Sequence, residues 1–228
     1  MILIKKESEN RFRGFYSPRS LHRMGCQILK INNQYPQKRL VDMVVDTLRS
    51  GGLIAYPTDT TYGIGADLFN KKAVDKIYRL KPHKKNKMLA FICADLKDIS
   101  RYAFVSDEAY RAMKKHLPGP YTFVLPATRE VPKLVMTNRK TVGIRVPDNV
   151  IAQAIVKELG NPIITTSTTR RENDIFDDPL EIRDILGHAL DFVIDGGLLP
   201  VEPSTVIDLS NVEPEVIRQG KGDVAPFV

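Results

Sequence analysis

No stretch of this sequence is apolar for long enough to cross a bilayer, tryptophan is missing altogether, and there are only two cysteines. Each absence removes a class of protein. A transmembrane helix needs roughly 20 consecutive apolar residues, so no membrane partner is expected. Cys26 and Cys93 have no metal-type spacing and cannot build a disulfide framework, so the expectation is a cytoplasmic chain with reduced thiols. His22, His116 and His188 show no metal-ligand spacing either. Internal repeats and low-complexity tracts are lacking, as is the continuous apolar core of a secretory signal near Met1.

What is present is an ordinary globular composition with unevenly placed charge. With 228 residues, 43% hydrophobic and 27% charged, the chain can bury a core and form one domain. The net charge is +7, yet residues 71–87 alone carry eight Lys or Arg against Asp75, and residues 1–23 carry six against Glu7 and Glu9. The remainder is therefore acidic. Clustered cations usually mark a solvated helix face, but here they also fit an anionic ligand, a nucleotide or RNA. Residues 1–23 are Arg-rich and weakly periodic, and Met24 follows them. They read as a basic appendage, a targeting leader or an overlong assigned start, the last being preferred, with the domain at 24–228.

Along that domain, helical and extended patterns alternate. Strands are expected over 27–31, 53–56, 88–93, 121–125, 142–146, 162–166, 192–194, 205–209 and 216–218. Helices are expected over 37–49, 71–80 with Val74, Ile77 and Tyr78 inward, 107–116 capped by Ser106, a fourth capped by Asp148 and ended by Gly160, and a fifth opened by Asp178-Pro179. This order favours an α/β fold, a single twisted mixed sheet flanked by helices with a concave basic cleft.

One junction concentrates polar atoms. The run Leu53 to Tyr56 stops at Pro57, and Thr58, Asp59, Thr60, Thr61 and Tyr62 then offer side-chain oxygens in succession, followed by Gly63 and Gly65. Proline ends the strand, and the glycines are expected to permit unusual backbone angles and close ligand approach. An Asp/Thr turn capping the next helix is the plainer alternative.

Four separated segments together resemble the YrdC-type threonylcarbamoyl-AMP synthase superfamily. They are Tyr56-Pro-Thr-Asp-Thr-Thr-Tyr-Gly-Ile-Gly65, Leu117-Pro-Gly-Pro-Tyr-Thr-Phe-Val-Leu125, Val142-Gly-Ile-Arg-Val-Pro147, and Pro203-Ser-Thr-Val-Ile-Asp208 with Ile217-Arg-Gln-Gly220. Tyr102-Ala-Phe-Val105, Arg129-Glu-Val-Pro132 and Gly220-Lys-Gly-Asp-Val-Ala-Pro-Phe227 resemble its YciO-type branch most. The resemblance implies a YrdC-like fold and a cleft that binds ATP with Mg²⁺, L-threonine and bicarbonate, yielding threonylcarbamoyl-adenylate and pyrophosphate. The adenylate would serve modification of a tRNA adenosine.

Carried over motif by motif, the resemblance implies Lys81 and Arg218 at the phosphates, with Thr122 and Ser167 near the nucleotide. It implies Arg145 at the threonine carboxylate, with Thr58 and Ser204 completing the amino-acid lining. Lys81, His83, Ser167 and Thr169 fill the positions of the Lys-x-Arg and Ser-x-Asn signature, so His83 replaces arginine and Thr169 replaces asparagine. Phe91 stands where histidine is usual. A histidine cannot make the bidentate fork of arginine, and each lost charge-assisted contact costs about 1.5–3 kcal/mol. Three functions therefore remain open: an active synthase, a divergent enzyme acting on a carbamoyl-adenylate or modified tRNA, and a non-catalytic module binding tRNA or double-stranded RNA.

Overall fold

The computed structural model describes residues 25–80, 89–171 and 174–228. The appendage expected at 1–23 lies outside the described residues, as do Lys81 and His83.

Twelve strands and six helices are described. The strands are β1 (Gln27–Lys30), β2 (Ile54–Tyr56), β3 (Gly63–Asp67), β4 (Ala90–Ile92), β5 (Tyr121–Pro126), β6 (Thr141–Arg145), β7 (Ile163–Ser167), β8 (Thr169–Arg171), β9 (Asp174–Ile175), β10 (Phe192–Asp195), β11 (Thr205–Asp208) and β12 (Glu215–Arg218). The helices are α1 (Lys38–Arg49), α2 (Lys71–Leu80), α3 (Leu96–Tyr102), α4 (Asp107–His116), α5 (Val150–Leu159) and α6 (Pro179–Leu186). Ten strands form one mixed sheet in the order β1-β10-β2-β3-β7-β4-β6-β5-β11-β12, while β8 and β9 pair separately. The expected single mixed sheet flanked by helices is the architecture found.

Local chemistry explains most element ends. Ser106 caps α4 by accepting from the Ala109 amide, Asp178 caps α6 ahead of Pro179, and Gly160 closes α5 at φ 80. The cap of α5 is Asn149 rather than the expected Asp148, its side chain accepting from the Ala152 amide. In α2 the buried residues are Ala73, Val74 and Ile77, whereas Tyr78 turns outward, 38% exposed, and donates to the Leu134 carbonyl.

Two cores form because strand side chains alternate between faces. On one face Val142, Ile144, Phe91, Phe123 and Ile164 pack with α2, α3 and α4. On the other, Ile54, Tyr56, Ile92 and Ile163 pack beneath α1 and α5. Those two helices cover only part of that face, and the uncovered part carries the candidate site.

Candidate functional site

Register decides what stands on the uncovered face. Thr165, Ala90 and Gly143 are cross-strand partners on β7, β4 and β6. Their small side chains make a shallow floor. Two residues along β6 from Gly143 comes Arg145. Beside it, one step beyond the Phe123–Ile144 pair, is Thr122, whose partner Val206 is in turn paired with Arg218. Arg145, Thr122, Val206 and Arg218 thus form one row across four adjacent strands. Three strand spacings separate the two arginine backbones, about 14 Å at roughly 4.8 Å per strand. Both arginines line a cavity of about 160 Å³, together with Thr61, Ser167 and Ser204. That volume suits an amino acid or a phosphate group, being below the roughly 300–1,000 Å³ of whole-ligand pockets.

The loop after β2 builds the wall at Arg145. Thr58 Oγ1 accepts from the Thr60 and Thr61 amides, both at 3.2 Å, and donates to the Thr61 carbonyl at 2.6 Å. This hydroxyl turn aims successive oxygens at one guanidinium nitrogen. Arg145 Nη2 donates to Thr58 Oγ1 at 3.3 Å and to Thr60 Oγ1 at 2.8 Å, and it ion-pairs with Asp59 Oδ1. Arg145 is 8% exposed. Its Nε and the other Asp59 oxygen, Oδ2, are buried without a hydrogen-bond partner. Stranding a buried polar atom costs about 1–3 kcal/mol.

Other contacts fix this loop to the sheet. Tyr62 Oη donates to the Gly197 carbonyl at 2.7 Å and accepts from the Gly196 amide at 3.0 Å. Burial pushes the Tyr56 and Tyr62 hydroxyls up to about 12. Gly63 and Gly65 are residues of β3 with no left-handed φ. They do not serve unusual backbone angles, which corrects the sequence reading. A Cβ on Gly63 would sit 2.9 Å from Thr165 Oγ1 and 3.1 Å from Tyr56 Cζ, and one on Gly65 would sit 2.8 Å from Tyr56 Cε1. The glycines make room for the Tyr56 ring.

At the opposite end of the row, Arg218 donates through Nη2 and Nε to the Ser204 carbonyl at 2.7 and 3.2 Å. Ser204 Oγ lies 2.9 Å from Thr122 Oγ1. Burial, and after it the positive charge of Arg145, lowers the Arg218 pKa below the usual guanidinium value. The two cations therefore sense one another across the cavity. Lys221 Nζ donates to the Asp59 carbonyl at 2.7 Å, tying the chain after β12 to the loop after β2.

Of the residues expected at the site, Thr122, Arg145, Ser167, Ser204 and Arg218 share the cavity lining. Thr58 stands behind Arg145, holding it rather than lining the cavity. Thr169 begins β8, two residues past Ser167, and is not among the lining residues. Lys81 and His83 belong to a segment outside the described residues; the chain resumes at Leu89, and Ala90 lines the cavity. Phe91 points into the opposite core, edge-on to Tyr102 at 6.2 Å, so that departure faces away from the site.

Asp59 and Lys221 were missed as site residues. Asp59 stood in the polar run that drew attention to the loop, but its pairing with a residue 86 positions away had no local signature. The described half of the basic run lies elsewhere. Lys71, Lys72, Lys76 and Arg79 are exposed on α2, and the last two line a different cavity of about 490 Å³ with Cys26 and His188. Among the described residues, no group of three or more His, Cys, Asp or Glu could hold a metal ion. No helix of the described residues is long and apolar enough to cross a membrane.

Comparison with known proteins matches this geometry to a family. The Sua5/YciO/YrdC family model, described as "Telomere recombination", matches residues 46–220. The uncharacterized protein YciO of Escherichia coli is 42% identical over 204 residues, covering 89% of this chain and 99% of that protein. The E. coli YciO crystal structure superposes with a TM-score of 0.86 at 41% identity, covering 89% of this chain and all of that one. A putative threonylcarbamoyl-AMP synthase of Methanocaldococcus jannaschii is 32% identical, covering 85% of this chain and 93% of that protein. The crystal structure of P. abyssi Sua5 complexed with L-threonine superposes with a TM-score of 0.79 at 27% identity, covering 85% of this chain and 57% of that one.

Proposed function

The chain belongs to the Sua5/YciO/YrdC family, and on that premise we propose that its cavity binds L-threonine at Arg145 and the phosphates of ATP towards Arg218. The reaction is formation of threonylcarbamoyl-adenylate from ATP, threonine and bicarbonate, for modification of a tRNA adenosine. The observation that carries this reading is the single row holding two buried guanidinium groups, Arg145 and Arg218, on one cavity. Putative and named threonylcarbamoyl-AMP synthases among the relatives, and an L-threonine complex of a structural neighbour, support the choice of ligands.

The chemistry follows from where charge sits. Arg145 binds the threonine carboxylate through nitrogen atoms left over from its grip on the loop. The threonine amine attacks the bicarbonate carbon, a C–N bond forms, and water leaves with the displaced oxygen. The carbamate oxygen then attacks the α-phosphorus, and the bond to pyrophosphate breaks. Negative charge grows on phosphate oxygens in that step. Arg218, and Lys81 by its motif position, neutralise it, while the Thr122, Ser167 and Ser204 hydroxyls orient the nucleotide. Magnesium arrives with the ATP phosphates rather than in a protein cage. The His83 and Thr169 replacements make the rate low compared with a synthase that keeps both signature pairs.

The decisive experiment is pyrophosphate release from ATP by the pure protein. Release that depends on both threonine and bicarbonate, and rises when His83→Arg and Thr169→Asn are combined, is the expected result; absence of threonine-dependent release in both proteins would remove the synthase reading. A second reading is favoured by the exposed cations of α2 outside the cavity. There the protein binds tRNA or double-stranded RNA by its phosphates, with affinity that falls as salt rises.

A further inference from the structure

The pair of Arg145 and Asp59 uses one nitrogen and one oxygen, although a guanidinium and a carboxylate can join through two parallel bonds. Nη2 carries every hydrogen bond Arg145 makes to the loop, and Nε beside it is stranded. Asp59 is stranded in the complementary way, Oδ1 bonded and Oδ2 not. Both side chains are 9% exposed. Native structures rarely leave buried polar atoms without partners, and such atoms ask for an explanation. The remaining one among the described residues, Tyr102 Oη, sits against the opposite core beside Phe91 and has no part in this site.

The two stranded atoms have opposite needs. Arg145 Nε is a donor seeking an acceptor, and Asp59 Oδ2 is an acceptor seeking a donor. Each is one atom removed from the bonded Nη2–Oδ1 contact, so one small ligand can reach both. A simple carboxylate satisfies only the arginine. A molecule with a carboxylate and an amino group on the same carbon satisfies both.

We propose that Asp59 reads the amino group of the ligand whose carboxylate Arg145 holds, so that the site selects α-amino acids over carboxylic acids of the same shape. The inference rests on the amino-acid reading above and adds to it a specificity-determining residue. The loop presets the carboxylate for this task. Oδ1 is held by Arg145, and the Asp59 carbonyl is held by Lys221 at 2.7 Å. A carboxylate whose sole duty was to steady Arg145 would have no reason to leave Oδ2 unused.

Isothermal titration of the full chain, with ATP present, tests the proposal using L-threonine and (R)-3-hydroxybutyrate, the same skeleton without the amino group. One charge-assisted hydrogen bond corresponds to a factor of about ten or more in affinity. The wild type is expected to prefer threonine by at least that factor. Asp59→Asn is expected to lose most of the preference by weakening threonine, while hydroxybutyrate stays within about twofold. Equal weakening of both ligands would overturn the proposal, leaving Asp59 as a support for Arg145. Tighter binding of both would also overturn it, making Asp59 a mere competitor. If the variant fails to fold, wild-type protein that binds both ligands alike still overturns the inference. Wild type that binds neither removes the amino-acid reading itself, and this one with it.

Discussion

Arg145 and Arg79 each line a cavity, yet they hold positive charge in different ways. Arg145 ends a strand, is 8% exposed, and has one nitrogen fixed by three oxygens of a loop. Arg79 stands in the last turn of an amphipathic helix, exposed, on the same helix as exposed Lys71, Lys72 and Lys76. A charge held by geometry can orient a ligand, because its donors are aimed before the ligand arrives. A charge on a flexible, hydrated stem supplies attraction without direction. Counting charges along the sequence finds the second kind and passes over the first.

Removing Arg145 should test the contrast hardest. Arg145→Ala leaves Asp59 buried without its counter-ion, and losing one partner of a buried pair costs about 3–5 kcal/mol. Chemical denaturation should register that loss, and calorimetry should find no threonine binding. Arg218→Lys keeps the charge but gives up the two-nitrogen grip on the Ser204 carbonyl. We expect a loss of about 1.5–3 kcal/mol in ATP affinity, and unchanged affinity would move Arg218 into the Arg79 category. Gly63→Ala should destabilise the protein by about 1–3 kcal/mol through crowding against Tyr56 and Thr165, measured by denaturant midpoint.

Tyr56 and Tyr62 give a pH test of the same walls. Their hydroxyls are pushed up to about 12 when folded, while an unfolded tyrosine ionises near 10. The unfolded chain therefore releases protons first, and the stabilisation is intact below about pH 10 and lost as pH climbs towards 12. Tyrosinate absorbance followed alongside denaturation should show these two hydroxyls ionising only as the fold is lost. The smallest effect belongs to α2. Replacing Lys71, Lys72 and Arg79 with alanine should shift stability by no more than about 0.5 kcal/mol each. It should also flatten the salt dependence of RNA binding by about one unit per phosphate contact removed. A large stability loss there would erase the distinction between the two arginines.

The elements themselves were largely legible. Periodicity and capping residues gave α1, α2, α4 and α6 to within a residue, and β5, β7 and β10 to within one at either end. β3 was missed because its glycines and the preceding Thr and Asp residues carry turn signals, while pairing with β2 and β7 overrides them. α3 was missed because seven residues give little periodicity, although Asp95, accepting from the Lys97 and Asp98 amides, was a readable cap. Five expected site residues meet at one cavity because motif order preserves contacts that no local pattern encodes. Asp59 and Lys221 escaped for the complementary reason, since each acts through a partner far along the chain.

The grip of the loop on Arg145 joins segments 86 positions apart, and the Lys221 contact joins others 162 apart. The site is thus a seam sewn from the early, middle and late thirds of the polypeptide. Neither half of the chain can host it alone. Two fragments divided in the connection between β5 and β6 would be inert when separate and would regain ligand binding only on reassociation.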